Sequence, residues 1–267
     1  MPPAFLARVQ CIVIDGADAR RFAQAQFSGD VHALQSGHWQ WNAWLDARGR
    51  VQALMHLADV GDGRLLAVLR GGDAEEVRGG LARYVLRMQA ALTTCTFGGY
   101  IDGGLPMGLA RTDRQDIVLG YGERSLRLRR ESADPSPEPT VADSWRLADI
   151  RAGWPTLHQG DRRFLPPALG LERLGAVSFD KGCYPGQEIV ARLHFRGGHK
   201  LRLHHIRGSV PLQIGTDQGS KDAGVIDVLE SAFSTSEVEA LIVAERDLPG
   251  EINMLGNKYR VVSTFDS

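Results

Sequence analysis

The chain has 267 residues, 43% of them hydrophobic, enough to bury a full core and long enough for more than one domain. Its 31 basic and 32 acidic residues leave a formal net charge of -1, which argues against a globally basic nucleic-acid binder, so no direct nucleic-acid partner is expected. Three widely separated cysteines, Cys11, Cys95 and Cys183, suit neither a disulfide framework nor a paired metal knuckle and point to a reducing compartment.

No charged leader precedes a long apolar core, and no apolar run reaches the roughly 20 residues a membrane helix needs, so the expected location is cytoplasmic, with no membrane partner. From Arg8 to Ile14 the residues Val9, Cys11 and Val13 share one side of a strand and Ile12 and Ile14 the other, a pattern for a strand covered on both faces. Asp15-Gly16 turns the chain, and Asp18 is placed to cap a helix through Phe22, Ala25 and Gln26 that ends near Ser28-Gly29-Asp30. Trp39 and Trp41 alternate with Gln40 and Asn42 at strand period, Asp46 to Gly49 is a turn, and Arg50 to His56 returns as the second arm of a hairpin. Arg64 to Leu69 is a further strand, and Asp73 with Glu76 forms a capping box for a helix carrying Val77, Leu81, Tyr84, Val85 and Met88. This order predicts an α+β unit with helices on one face of a mostly antiparallel sheet.

Short strands follow at Gly108 to Thr112, Asp116 to Leu119 and Ser125 to Arg130. The Asp134-to-Pro139 stretch holds three prolines and reads as an exposed connector, since proline removes donors and fixes φ. Asp143 can cap a helix through Trp145, Leu147, Ala148 and Ile150, stopped by Gly153 and Pro155. Beyond Gly197-Gly198, strands at Lys200 to Ile206, Gly224 to Leu229, Val238 to Glu245 and Lys258 to Thr264 have the spacing of a small barrel.

The richest stretch chemically is Ser178 to Arg192. A thiol, an ammonium, an amide and a carboxylate stand together at Lys181, Cys183, Gln187 and Glu188, among glycines and a proline that allow sharp turns. Cys183 is the thiol to expect as reactive, because Lys181 is close and its glycine neighbours can expose it. Cys11 and Cys95, in apolar strand contexts, read as small buried hydrophobes. Gln187 and Glu188 either hydrogen-bond a ligand or pin the loop, and Tyr184 either stacks on a ring or closes the core. Trp39 and Trp41 share a face and line a cleft or pack the sheet, while Arg192, Arg196 and Lys200 attract an anionic tail or form a solvated rim. His204 and His205, adjacent on a strand, point to opposite faces and cannot chelate together, so no metal is expected.

The segment Lys181-Gly182-Cys183-Tyr184-Pro185-Gly186-Gln187-Glu188 resembles the K-G-C-Y-x-G-Q-E signature of the YgfZ family, folate-binding proteins related to the aminomethyltransferase (T-protein) of glycine cleavage. The resemblance runs through Leu165-Pro166, Leu171 to Leu174, Val190 to Arg192 and Arg196 to Gly198. Gly16 to Asp30 and Trp44 to Val51 are similar to two further blocks of that family. It implies a folate-binding module in two interlocked parts over residues 1–195, joined near 131–142, and a C-terminal β-barrel over 196–267, around a cavity holding tetrahydrofolate or a one-carbon derivative. It also implies a part in assembling or repairing iron-sulfur client proteins, tRNA-modifying enzymes among them, with no cluster held permanently. Under this reading Cys183 and Lys181 carry any chemistry, and Tyr184, Gln187, Glu188, Asp30, Trp39, Trp41 and Arg192 contact the folate. An active aminomethyl transferase, with Asp30 managing protons, and a non-catalytic scaffold are the alternatives. Two departures stand out: Arg151 where relatives carry a pterin-binding acid, and Gly29 where they commonly carry asparagine.

Overall fold

Strand β1 (Ala4–Asp15) runs through the middle of the larger of two sheets, with Cys11, Ile12 and Ile14 fully buried. The structure is a computed structural model and describes residues 3–130, 136, 139–158, 164–215, 224 and 226–266; the connector expected over 134–139 lies almost wholly outside them. Helix α1 (Ala19–Gln26) follows, then strands β2 (Trp39–Leu45), β3 (Val51–Asp59) and β4 (Leu65–Leu69), helix α2 (Ala74–Ala82), and strands β5 (Ala91–Asp102), β6 (Ala110–Asp113), β7 (Asp116–Gly120) and β8 (Ser125–Arg129). Helices α3 (Pro139–Ala152) and α4 (Gln187–Arg196) lead to strands β9 (Leu201–Gly208), β10 (Asp227–Phe233), β11 (Val238–Glu245), β12 (Glu251–Met254) and β13 (Asn257–Phe265).

Eight strands form an antiparallel sheet in the order β2-β3-β4-β1-β5-β8-β7-β6. The sheet curls far enough for its edges to meet: a bridge joins His38 to Leu109, with the Trp39 amide donating to the Gly108 carbonyl at 2.7 Å. One face, carrying Ile12, Ile14, Met55, Leu57, Leu65 and Ala67, is covered by Phe22 and Ala23 of α1 and Val77 and Leu81 of α2. The other carries Cys11, Trp39, Trp41, Leu54, Val68, Phe97 and Leu126 and continues into Trp145 and Ile150 of α3, Tyr184, and Leu203, Leu229 and Leu241 of the C-terminal strands. Cover on both faces explains why β4 is apolar at every position rather than alternating. The C-terminal strands form a second antiparallel sheet, order β10-β11-β9-β13-β12, with a further core of Ile206, Val228, Ile242 and Tyr259.

Several local expectations shift. Asp18 does not cap α1; its carboxylate accepts from the Gln89 amide at 2.8 Å, tying the helix start to the entry of β5. Asp73 does cap α2, accepting from the Glu76 amide at 2.8 Å, but the helix stops at Ala82 and leaves Tyr84 exposed. Helix α3 begins at Pro139, so Asp143 lies inside it, where it pairs with Arg146. Proline at the first helical position needs no amide donor, which lets the helix start upstream of the expected cap. Strands β5 and β12 were not expected.

Candidate functional site

The aromatic side chains of the inner face converge. On β2, Trp39 and Trp41 point the same way, and their cross-strand neighbour on β3 is His56, opposite Trp41. The His56 ring lies 4.4 Å from Trp39 and 4.2 Å from Trp41. Tyr121, just beyond β7, and Trp154, just beyond α3, complete the group: ring centroids are 5.2 Å apart for His56 and Tyr121, 5.3 Å for Tyr121 and Trp154, and 5.4 Å for Trp41 and Trp154. Most of these contacts are edge-to-face, the arrangement that ring quadrupoles favour. The Trp39 Nε1–H donates to the Gly120 carbonyl at 2.9 Å, and Tyr121 Oη stands 2.7 Å from His56 Nδ1.

Charge enters this apolar setting through a buried triad. Asp149 of α3 accepts from Arg70, at the end of β4, at 2.9 Å, and with its other oxygen it pairs with Arg124. Arg70 also donates to the carbonyls of Trp154 at 3.3 Å and Pro155 at 3.4 Å and to Thr156 Oγ1 at 3.2 Å, fixing the chain that follows α3. Arg124 donates to the Trp145 carbonyl at 2.9 Å and lies 4.0 Å over the Trp145 ring. Burial opposes the Arg70 charge, but Asp149 more than offsets it, and its pKa lies above the ordinary value. Burial, with the nearby charges of Arg70 and Arg124, drives His56 well below the ordinary imidazole value, so it is neutral, and it pushes the Tyr121 phenol up.

A cleft of about 430 Å³ opens beside the group, lined by Met107, Tyr121, Glu123, Arg124, Ala148, Ala152 and Trp154. A concave site with aromatic and aliphatic walls and a few convergent polar groups is suited to a flat, partly polar ligand. His56 Nε2 is fully buried and lacks a partner, the one polar atom of the imidazole left over at the base of the aromatic group.

His56 carries a pH consequence. Its folded pKa lies below the unfolded value, so the unfolded chain takes up a proton that the folded chain refuses as pH falls below about 6.5. Stability from this group is present at neutral pH and is lost on acidification. Urea titrations at pH 6.5 and 5.0 should show a loss about 2 kcal/mol smaller in His56→Gln than in the unsubstituted chain; equal losses would place the proton elsewhere.

The Ser178–Arg192 segment does not line this cleft. The Ser178 amide donates to the Ser28 carbonyl at 2.9 Å. Gly186, at φ +78°, presses on the β2–β3 turn, where an added Cβ would meet the Asp46 carbonyl oxygen at 2.5 Å. Trp41 and Asp46 are five residues apart on an extended strand, roughly 17 Å. Gly186 therefore lies at the turn end of the hairpin, whereas Ser178 and Lys181 meet the Phe27–Gly29 stretch, which is bonded to Ala43 and Asn42 beside Trp41. Lys181 does not serve the thiol. Its ammonium donates to the carbonyls of Gln24 and Phe27 at 2.6 Å and of Gly29 at 2.8 Å, which uses all three of its hydrogens. Burial pulls its pKa down to about 8, with Asp30 acting in the opposite direction.

Among the described residues, no hydrogen bond, ion pair or ring contact joins Lys181, Cys183, Tyr184, Gln187, Glu188, Arg192 or Asp30 to the aromatic group. Asp30, expected at a ligand, instead accepts from the His32 amide and from Gln24 Nε2, both at 3.0 Å, and caps a short 3-10 turn. Tyr184 closes the core, its hydroxyl buried without a partner and its pKa pushed up to about 12 by burial. Gln187 and Glu188 open α4, and Glu188 and Arg192 are exposed. Exposure ranks the three thiols Cys183, Cys95, Cys11.

Both departures from the family pattern have local partners. Arg151 pairs with buried Glu239 on β11 at 2.6 Å. Gly29 leaves no room for a side chain, since a Cβ there would meet Asn42 Oδ1 at 2.6 Å. His204 and His205 do face opposite ways, toward Thr264 and Glu239. Among the described residues no group of three or more His, Cys, Asp or Glu is placed to hold a metal, and no helix is long and apolar enough to cross a membrane.

Of this aromatic and charged group, sequence reasoning singles out Trp39 and Trp41 and passes over His56, Tyr121, Trp154, Arg70, Arg124 and Asp149. One signal was available: His56 is the sole polar residue in the run Ala53 to Ala58, on the tryptophan face of the hairpin.

No protein-family model matches the chain. A Haemophilus influenzae protein described as uncharacterized is 31% identical over 202 residues, spanning 74% of this chain and 70% of its own length. The tRNA-modifying protein YgfZ of Escherichia coli is 26% identical over 223 residues, spanning 73% of this chain and 68% of its own. The fold is similar to the crystal structure of glycine cleavage system aminomethyltransferase T from Bartonella henselae, with a TM-score of 0.71 and 14% identity over 96% of this chain and 83% of that one.

Proposed function

We propose, from the premise that this chain belongs to the YgfZ family of relatives of the glycine-cleavage aminomethyltransferase T, that it is a folate-binding accessory factor acting in tRNA modification. The observation that carries this reading is the cleft walled by Tyr121 and Trp154 and edged by Arg124. The pterin and benzoyl rings of tetrahydrofolate, or a one-carbon derivative, are flat and offer ring edges rich in donors and acceptors. Stacked against these walls they bury their faces, and the guanidinium attracts the anionic glutamate tail. Trp39 and Trp41 back the pocket rather than line it.

The finer parts of the proposal rest on the family pattern. The factor supports assembly or repair of iron-sulfur clients, including enzymes that modify tRNA, in the cytoplasm. Residues 1–195 form the folate module and 196–267 a barrel-like C-terminal module. Cys183, exposed and not among the residues that line the cleft, is the thiol offered to a client. Aminomethyl transfer is disfavoured by Asp30, whose carboxylate is engaged in a cap and with Gln24 and is not among the groups lining the cleft.

Isothermal titration with tetrahydrofolate tests the proposal. We expect saturable binding, weakened roughly tenfold or more (about 1.4 kcal/mol) in Trp154→Leu and unchanged in Cys183→Ser. Absence of binding by the folded chain would favour a scaffold, and release of formaldehyde from an aminomethyl donor would restore the transferase.

A further inference from the structure

Two of the cysteines that look unrelated in sequence face each other in the sheet. Cys11 on β1 and Cys95 on β5 are directly opposed in the antiparallel register, so their side chains leave the same face. Opposed residues in such a ladder have Cα atoms about 4.5 or about 5.5 Å apart, and a disulfide accepts roughly 4.4 to 6.8 Å. Either register position thus allows the bond without moving the strands apart. Cys11 is fully buried, whereas Cys95 is half-buried and reachable by a small oxidant.

We propose that Cys11 and Cys95 are a redox-active dithiol that closes to an intramolecular cross-strand disulfide, with Cys95 oxidised first by a peroxide and Cys11 resolving it. This does not depend on the folate reading. In the first step the Cys95 thiolate attacks one peroxide oxygen, the O–O bond breaks, and the departing hydroxide takes a proton to leave as water, giving a sulfenic acid. In the second the Cys11 sulfur attacks the Cys95 sulfur, the S–O bond breaks, and the thiol proton leaves with the hydroxyl as a second water. Two thiols have then lost two electrons to one peroxide.

The environments fit these roles. The neighbouring Cys11 thiol favours the Cys95 thiolate and holds its pKa below the ordinary value, and Arg130 adds to the effect, while burial pushes Cys11 up. The pair also continues a single cross-strand row, His56–Val68–Cys11–Cys95, that begins under the aromatic group. A disulfide formed here is reduced by exchange with an external thiol, as a reversible modification requires.

The test treats the full chain with one equivalent of hydrogen peroxide, alkylates it with iodoacetamide after unfolding, and maps the peptides by mass spectrometry. We expect a crosslink between the Cys11 and Cys95 peptides, lost on treatment with dithiothreitol, with Cys183 still alkylated. In Cys11→Ala, Cys95 should be trapped by dimedone as the sulfenic acid, and in Cys95→Ala, Cys11 should stay a free thiol. The proposal is overturned if Cys11 and Cys95 both remain alkylatable in the treated unsubstituted chain, or if the crosslink runs through Cys183. The mapping of the unsubstituted chain decides this even where a variant does not fold.

Discussion

Replacing Asp149 with alanine is expected to cost the fold about 3–5 kcal/mol, the largest effect of any single substitution near the cleft. The carboxylate is buried and pairs with two guanidiniums, Arg70 and Arg124, which are themselves mostly shielded. Removing it leaves two positive charges in an apolar, aromatic setting, and that desolvation, rather than the lost attraction alone, sets the magnitude. Since domains have roughly 5–15 kcal/mol of stability to lose, Asp149→Ala should shift the urea midpoint strongly or abolish folding near body temperature. Asp149→Asn, which keeps the shape and one acceptor, should fall between. A midpoint within about 1 kcal/mol of the unsubstituted chain would mean that the arginines find water or other partners, as exposed pairs do.

Lys181→Met is the second substitution with a large expected effect. Methionine keeps much of the stem but no donor, and the carbonyls of Gln24, Phe27 and Gly29 lose the group that gathers them. An unsatisfied buried acceptor costs about 1–3 kcal/mol, but water can reach part of this site, so a loss of about 3 kcal/mol in all is expected. The signature is local as well as global: amides of residues 181–186 should exchange faster with deuterium. Tetrahydrofolate affinity should hold while the chain is folded. If stability is unchanged and only the alkylation rate of Cys183 falls, Lys181 serves the thiol after all.

The parts of the fold legible in the sequence are those whose burial leaves a periodic trace. The Trp39-to-Val51 hairpin shows as alternation around a turn, and the doubly covered β4 as an unbroken apolar run. Strand β5 leaves no such trace: Thr93, Thr94, Thr96, Gly98 and Gly99 blur the alternation, because much of its length is only partly covered. What defines it is its long pairing with β1, a contact between distant segments.

The site was legible only where two members shared one strand. Trp39 and Trp41 could be read as a common face, but Arg70, Tyr121, Arg124, Asp149 and Trp154 come from separate stretches, and only the curled sheet and α3 bring them together. Attention falls on Arg151, where the family resemblance leads one to expect a carboxylate, yet the carboxylate facing the arginines is Asp149. Two helical residues are about 200° apart, so Arg151 turns to Glu239 on the C-terminal sheet instead. The Ser178–Arg192 stretch drew notice by composition, but the partners of Lys181 lie more than 150 residues upstream, and no local pattern names them.

A crystal structure of the chain soaked or grown with tetrahydrofolate would decide the matter most directly. The pterin and benzoyl rings should lie in the cleft against Tyr121 and Trp154 with Arg124 at the edge, and Cys183 should be out of contact. Density for the folate over Tyr184, Gln187 and Glu188, with the aromatic cleft filled only by solvent, would contradict the placement of the binding site.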